Sequence, residues 1–324
     1  MQEAFDNCTI LKSYECMNAC ILNHMNQAGI SLSGSDIFFA GGGYPISYKK
    51  GSLTRIKSEG YEANFRFLDK YGIDYRFGRI APTGDIMQKL LQEPYTITIR
   101  MISDCLTYDR VFSQTSGASH FINVLAYNQE RKQFYIVDGD VPSAKTGCFA
   151  GWMDESDLLR GWALKGGEVL QMRLKIKFNQ NDFSQQVINE ANQQVQSAVE
   201  NYLNGKRQLF GGVVTGEQAI CCMVEQLGKC AGKYGFLEQT REANFRLKVD
   251  GYLGAKKFLL EKFREQNVAI ADEYENIIQS WSKWCMLLLK SGMSSSKKKF
   301  ELVKSRMKEL VAYERKSLEG NLMS

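Results

Sequence analysis

The segment "HFINVLAYNQERKQFYIVDGD", residues 120–140, holds two apolar runs around a short polar centre. "HFINVLAY" (120–127) and "KQFYIVDGD" (132–140) are rich in β-branched and aromatic residues, which predicts two antiparallel strands. With the turn centred on "NQE" (128–130), paired residues have numbers summing to 258. His120 and Asp138 are then expected directly opposite each other, with side chains on one face. A one-residue slip would separate them across the sheet. An aspartate in that place can hydrogen-bond one imidazole nitrogen and leave the other to take a proton from a nucleophile. A histidine at a strand edge with a solvated aspartate in the next loop is the plainer alternative. His24 and His120 are the only histidines, so any histidine chemistry must use one of them.

Around this hairpin the first half of the chain mixes helix and strand. "YTITIRMI" (95–102) and "GEVLQMRLKIKF" (167–178) read as further strands, and residues 16–29, 62–73 and 84–92 read as helices, the first closed by Gly29. The second half has almost no strand signal. Residues 183–205, 216–235, 251–267, 271–292 and 297–320 are helical in pattern and length. This segregation predicts an α+β domain, 1–180, followed by an all-helical domain, 181–324. Phe258, Phe263, Tyr274, Trp281 and Trp284 recur at helical spacing and are expected in the helical core. The lysine run 297–299 is expected to be a solvated helix start.

With 324 residues, the chain is long enough for two cores. Apolar residues at 44% and charged residues at 24% describe an ordinary globular protein. The net charge, 41 − 36 = +5, is spread along the chain and favours acidic partners only mildly. No zinc-finger spacing or aromatic–basic pattern is present, so nucleic acid is not an expected partner. The longest apolar runs are far too short to cross a bilayer, and the first residues carry no signal-peptide pattern. Nine cysteines at irregular spacing then imply reduced thiols in a cytoplasmic protein.

A nucleophile is sought in "YECMNACILNH", residues 14–24, where Cys16, Cys20 and His24 stand four residues apart. As a ligand ladder they serve poorly. Two four-residue steps rotate Cys16 and His24 apart by about 80°, and no fourth ligand is evident, so no metal is expected there. Cys16 begins the helix, where the helix N-terminus is expected to lower its pKa. Cys20 lies one turn inside, on a face shared with Met17, Ile21 and Met25, and reads as core. A cysteine opening an early helix, followed much later by a histidine–aspartate strand pair, is the order of papain-like thiol chemistry.

These residues resemble the family of the butirosin biosynthesis protein H, acyltransferases with a papain-like N-terminal domain. "ECMNACILNHMNQAGISLSGSDIFFAGGGYPISY" resembles that family's opening block, with Cys16 as the nucleophile and Gly29 thirteen residues on. "ISDCLTYDRVFSQTSGASHFINVLAYNQERKQFYIVDGD" resembles the block that places Asp104, Tyr108, His120 and Asp138. "FGGVVTGEQAI", "GYLGAKKFLLEKFRE" and "ADEYENIIQSWSKW" resemble the helical domain attached to the family, so the likeness covers nearly the whole chain. Two departures stand out: Glu15 precedes the cysteine where histidine is frequent, and Ile10 occupies the place of the glutamine with which papain-like peptidases help bind the oxyanion. Ser13, Asn18 and Tyr108 are the candidate replacements for that donor.

The resemblance implies an amide-forming acyltransferase. Cys16 would take an acyl or peptidyl group from the phosphopantetheine thioester of an acyl or peptidyl carrier protein. His120 and Asp138 would then assist its transfer to a small amine, or to a diamine as in closthioamide-type assembly. It implies no bound cofactor beyond that substrate arm. Gly41, Gly42 and Gly43, with Asp104 and Tyr108, are the expected substrate-binding residues: the glycines because a backbone without side chains can pass close to the pantetheine arm, the acid because it can attract a cationic amine. Asp109 and Glu15 could do the same, or be loop and cap acids. Lys49, Lys50, Arg55 and Lys57 could dock an acidic carrier, or be a solvated loop. The helical domain could cover the cleft or mediate a homodimer. A cysteine hydrolase (peptidase, amidase or thioesterase) with the same triad is the alternative function.

Overall fold

The computed structural model describes residues 9–49, 56–113, 117–174, 179–205, 212–249, 251–266 and 269–322. Through the first half, the elements are α1 (Cys16–Gln27), α2 (Gly34–Ala40), β1 (Ile46–Lys49), β2 (Ile56–Ser58), α3 (Gly60–Lys70), β3 (Asp74–Arg79), α4 (Gly84–Gln92), β4 (Thr96–Ile102), α5 (Arg110–Ser113), β5 (Ser119–Asn128), β6 (Gln133–Asp138), β7 (Phe149–Asp154), α6 (Glu155–Ala163) and β8 (Glu168–Arg173). Then come α7 (Gln180–Leu203), β9 (Val213–Thr215), α8 (Glu217–Gly228), α9 (Phe236–Val249), α10 (Tyr252–Glu265), α11 (Ala271–Met293) and α12 (Lys297–Leu322). The chain is α+β in its first half and helical in its second, as the segregated patterns predict.

Two compact units form, and they do not follow one cut at residue 180. The first contains Met1–Ile37 and Asn64–Ile188, the second Phe38–Ala63 and Asn189–Ser324. Residues 38–63 join the second unit because β1 pairs with both β2 and β9 in a three-stranded sheet. Phe38 also stacks on Phe258 of α10 with centroids 4.3 Å apart.

The first unit is built on a six-stranded sheet of order β3-β8-β4-β5-β6-β7, antiparallel throughout. Ile97, Ile99, Ile122, Val124, Phe134 and Ile136 line a core with Met87 and Leu90 of α4 and Leu158 and Trp162 of α6. The alternating strands around it form where the sequence pattern places them. β3 and β7, at the two edges, lack such alternation: "DYRFGR" is largely exposed, with four of six residues open. α1 buries nearly its whole length, Met17, Ala19, Ile21, Leu22 and Met25 all being at most 1% exposed. It is tied to the sheet by Asn123 of β5, whose Nδ2 donates to the Cys20 carbonyl at 3.0 Å. Gly29 follows α1 with φ +74°, the left-handed turn expected of a helix-closing glycine.

The β5–β6 register differs from the expected 258. Near the turn, Asn128 pairs with Gln133 and Tyr127 with Phe134, summing to 261. Beyond an irregularity between Val124 and Ala126, Val124 pairs with Ile136 and Asn123 with Val137, summing to 260. Leu125 is therefore an extra residue, a β-bulge. Extended past the last pair, this register sets Asp138 against Ile122 and Asp140 against His120. His120 and Asp138 are diagonal neighbours on one face, not directly opposite. The shift of two from 258 keeps their parity, and without the bulge the odd register at the turn would have placed them on opposite faces.

In the second unit, Phe258, Phe263, Tyr274, Trp281 and Trp284 are all buried, and Lys297, Lys298 and Lys299 are exposed, both as expected. α9 was not expected; its sequence, "FLEQTREANFRLKV", carries polar residues at most positions. The core also holds an ion pair. Lys256 of α10 and Glu314 of α12, at most 1% exposed, are hydrogen-bonded to each other. Glu314 also accepts from Tyr202 at 3.1 Å, Tyr274 at 3.0 Å and Trp281 at 3.0 Å. The ammonium lies 4.5 Å from the Tyr202 ring and 4.7 Å from the Tyr252 ring. Burial pushes the Lys256 pKa down, against the opposing pull of Glu314. Removing one partner of such a pair strands the other charge. Glu314→Gln is expected to cost about 3–5 kcal/mol of stability, read by urea unfolding. Replacing both residues with apolar ones of similar volume is expected to recover most of it.

Candidate active site

The approach of α1 to the hairpin starts with the preceding segment. Asn23 clamps Leu11, accepting from its N–H at 2.9 Å and donating to its carbonyl at 2.9 Å. Ser13 N–H donates to the Gly139 carbonyl at 2.8 Å. Gly139 has to be glycine: a Cβ there would sit 2.4 Å from the Leu11 carbonyl oxygen and 2.9 Å from Asn23 Nδ2. "Asp-Gly-Asp" thus lets the segment before Cys16 lie against the end of β6.

Cys16, at the first position of α1, is brought to the histidine. Cys16 Sγ, a His120 ring nitrogen and an Asp140 carboxylate oxygen lie within 4.8 Å of one another. His120 Nε2 donates to Asp138 Oδ2 at 2.8 Å, with His120 3% and Asp138 1% exposed. Nδ1 is the ring nitrogen left for chemistry. Behind the pair, Tyr108 OH donates to the same Asp138 oxygen at 2.7 Å, and its ring stacks on Phe149. Asp138 Oδ1 accepts from the Asp140 N–H at 2.9 Å. The Phe112 ring lies 4.3 Å from the imidazole. The arrangement is papain-like: a cysteine at a helix N-terminus, and a carboxylate-held histidine on an antiparallel sheet.

The electrostatics differ from expectation. Burial works against a charged His120 ring, but the Asp138 charge and hydrogen bond outweigh it and raise the pKa above the ordinary 6.5. The Cys16 thiol is also raised, well above its usual value, first by burial and then by Glu15 and Asp140. The N–H groups at the helix N-terminus are in addition engaged by a side chain. Glu15 is the N-cap and accepts from Met17 N–H at 3.1 Å and Asn18 N–H at 2.7 Å, with Asn64 Nδ2 donating to it at 2.8 Å. The Cys16 thiol donates to the same carboxylate at 3.7 Å.

The other expected residues fall elsewhere. Cys20 is buried, and His24 Nδ1 pairs with Thr96 Oγ1 at 2.7 Å, burial pushing its pKa down to about 4. Asp104 is exposed and accepts from the Gly117 N–H at 3.0 Å. Asp109 is buried and accepts from Val111, Phe112 and Ser143 N–H groups. The oxyanion candidates are engaged: Ser13 Oγ donates to Asn18 Oδ1 at 2.6 Å, Asn18 Nδ2 donates to the Gly34 carbonyl at 3.2 Å, and Tyr108 serves Asp138. Gly41, Gly42 and Gly43 lie in the second unit. The close approach there is to the chain itself: a Cβ at Gly41 would meet the Ala63 carbonyl at 2.2 Å, and one at Gly43 the Phe38 ring at 2.7 Å. Lys57 pairs with Glu62 at 2.5 Å, while Lys50 and Arg55 lie outside the described residues. Asp140 escaped the sequence reading; its position opposite His120 becomes readable only once the bulge is known.

No family model matches the sequence, and no curated protein matches it. Among solved structures, the chain is similar to one described as a C39-like peptidase from Bacillus anthracis. The two are 12% identical with a TM-score of 0.35, over 53% of this chain and 96% of that one. No helix among the described residues is long and apolar enough to cross a membrane.

Glu15 raises the Cys16 pKa, so removing its charge lowers that pKa and increases the thiolate fraction at a given pH. Glu15→Gln is expected to speed alkylation of Cys16 by iodoacetamide several-fold at mildly alkaline pH. Peptide mapping, with Cys20 as the buried internal control, measures it. An unchanged or slower rate contradicts this reading of the cap.

Proposed function

We propose that the chain is an amide-forming acyltransferase using Cys16, His120 and Asp138. It would take an acyl or peptidyl group from a carrier-protein thioester and pass it to a small amine, a diamine being the sharper candidate. The observation that carries the covalent chemistry is the meeting of Cys16 Sγ and a His120 ring nitrogen, with Asp138 on Nε2. In the first step Cys16 Sγ attacks the thioester carbonyl. His120 takes the thiol proton and gives it to the departing pantetheine thiolate, leaving a Cys16 thioester. In the second, the amine nitrogen attacks that thioester, His120 accepts its proton, and the Cys16 thiol leaves as the amide forms. Asp138 orients the ring and stabilises the imidazolium in both steps.

Two features favour a thioester donor over an amide one. Ile10 stands, by sequence spacing, where papain-like peptidases carry the glutamine that helps bind the oxyanion, and its side chain packs instead against Ala126, Tyr135 and Val137. Burial, Glu15 and Asp140 raise the Cys16 pKa, and a less acidic thiol calls for the more activated acyl donor, a thioester.

Incubation with an acyl-pantetheine thioester followed by intact-protein mass spectrometry tests the proposal. A one-acyl adduct is expected that persists in Cys20→Ala and disappears in Cys16→Ala. His120→Ala is expected to slow its formation by about 10²–10⁴-fold. Adding a diamine is expected to discharge the adduct as the amide. Free acid as the only product would make the protein a hydrolase, and no adduct would overturn the covalent route.

A further inference from the structure

We propose that Cys16, His120 and Asp140 form a zinc-binding site, so that a divalent zinc ion reversibly blocks the thiol. As a block on acyl transfer this rests on the proposed function; as a binding site it rests on the geometry alone. The three side chains supply a sulfur, an imidazole nitrogen and a carboxylate oxygen, the donor types that zinc takes. Their donor atoms lie within 4.8 Å of one another. In a tetrahedral zinc site such donors stand roughly 3.3–3.6 Å apart, so no pair needs to close by more than about 1.5 Å. The ladder of Cys16, Cys20 and His24 is not this cluster, which takes Cys16 from α1 and its other two members from the hairpin.

Three further features fit zinc. Asp138 occupies His120 Nε2, which leaves Nδ1 as the metal-facing nitrogen and reproduces the carboxylate–histidine pairing that orients metal-bound imidazoles. Three carboxylates surround the thiol and ring: Glu15 at 3.7 Å from Sγ, Asp138 on the ring and Asp140 in the cluster itself. That local negative charge opposes a thiolate on its own, and a dication would neutralise it. Cys16 as a residue is half-buried rather than sealed in the core. Three protein ligands leave one coordination position for water, the open geometry of non-structural zinc sites. On binding, Cys16–SH loses its proton to solvent and the S–Zn bond forms, with no change of oxidation state. The bound thiolate is no longer available to a thioester.

The full-length protein, stripped of metal, would be titrated with zinc chloride against a chromophoric chelator and, separately, with cobalt(II). One equivalent is expected to bind, and cobalt is expected to give a sulfur-to-metal charge-transfer band in the unmodified chain. Asp140→Asn is expected to weaken zinc at least about tenfold, Cys16→Ala to abolish the cobalt band, and Cys20→Ala to change neither. Zinc is further expected to protect Cys16 from iodoacetamide until EDTA is added. Stoichiometric binding without the cobalt–sulfur band, or binding unchanged in Asp140→Asn, would overturn the site. Acylation of Cys16 with no zinc binding sinks this inference and leaves the proposed function standing; zinc binding without acylation does the reverse.

Discussion

The hydrogen bond between His120 and Asp138 is the contact on which the candidate site depends, and one extra residue makes it. The hairpin closes with pairs summing to 261, which would send the two side chains to opposite faces. Leu125 bulges out, the register drops to 260, and both side chains return to one face. A bulge is locally costly, since it disrupts the ladder. Here it re-aims two buried polar side chains toward each other. Tyr108 and the Asp140 N–H then satisfy the remaining valences of Asp138, as a buried carboxylate requires.

The second constraint brings the cysteine. Asn23, one turn beyond Cys20, holds both backbone groups of Leu11, and Gly139 offers no side chain to keep Leu11 away. The α1 N-terminus therefore meets the strand end carrying Asp138 and Asp140. Burial raises the Cys16 pKa most, and Glu15 and Asp140 add to it. An N-cap carboxylate satisfies the first-turn N–H groups and stabilises the helix, but it also cancels the positive end that would otherwise favour a thiolate. The raised thiol pKa means that a thiolate at this position depends on a base, and the His120 ring nitrogen is the one beside it.

Much of this was legible in the sequence because the relevant signals are local. The order of cysteine, histidine and aspartate, the helical second half and the four central strands all follow from periodicity and residue type. Cys20 and His24 read as structural, and both are buried. What was missed needed tertiary information. β3 and β7 are edges whose side chains have no second layer to pattern against. Residues 38–63 join the helical unit through sheet pairing with β9, a contact more than 150 residues away in sequence. The bulge at Leu125 has no glycine or proline to announce it, so the sequence alone predicts a register two residues from the observed 260 and does not bring Asp140 to His120. The helix end alone predicts a lowered thiol pKa; burial, which the sequence does not show, and the carboxylates of Glu15 and Asp140 raise it instead.

The central claim is that Asp138 holds a chargeable His120 beside Cys16, and the two histidines of the chain allow it to be read directly. An NMR titration of the imidazole resonances is expected to show one histidine, His24, titrating near 4, where burial pushes it. His120 is expected above 6.5, where Asp138 outweighs burial. In Asp138→Asn that support is lost while the burial remains, so the His120 value is expected to fall. A His120 that titrates below 6.5 in the unaltered protein, or that is indifferent to Asp138→Asn, would contradict the account.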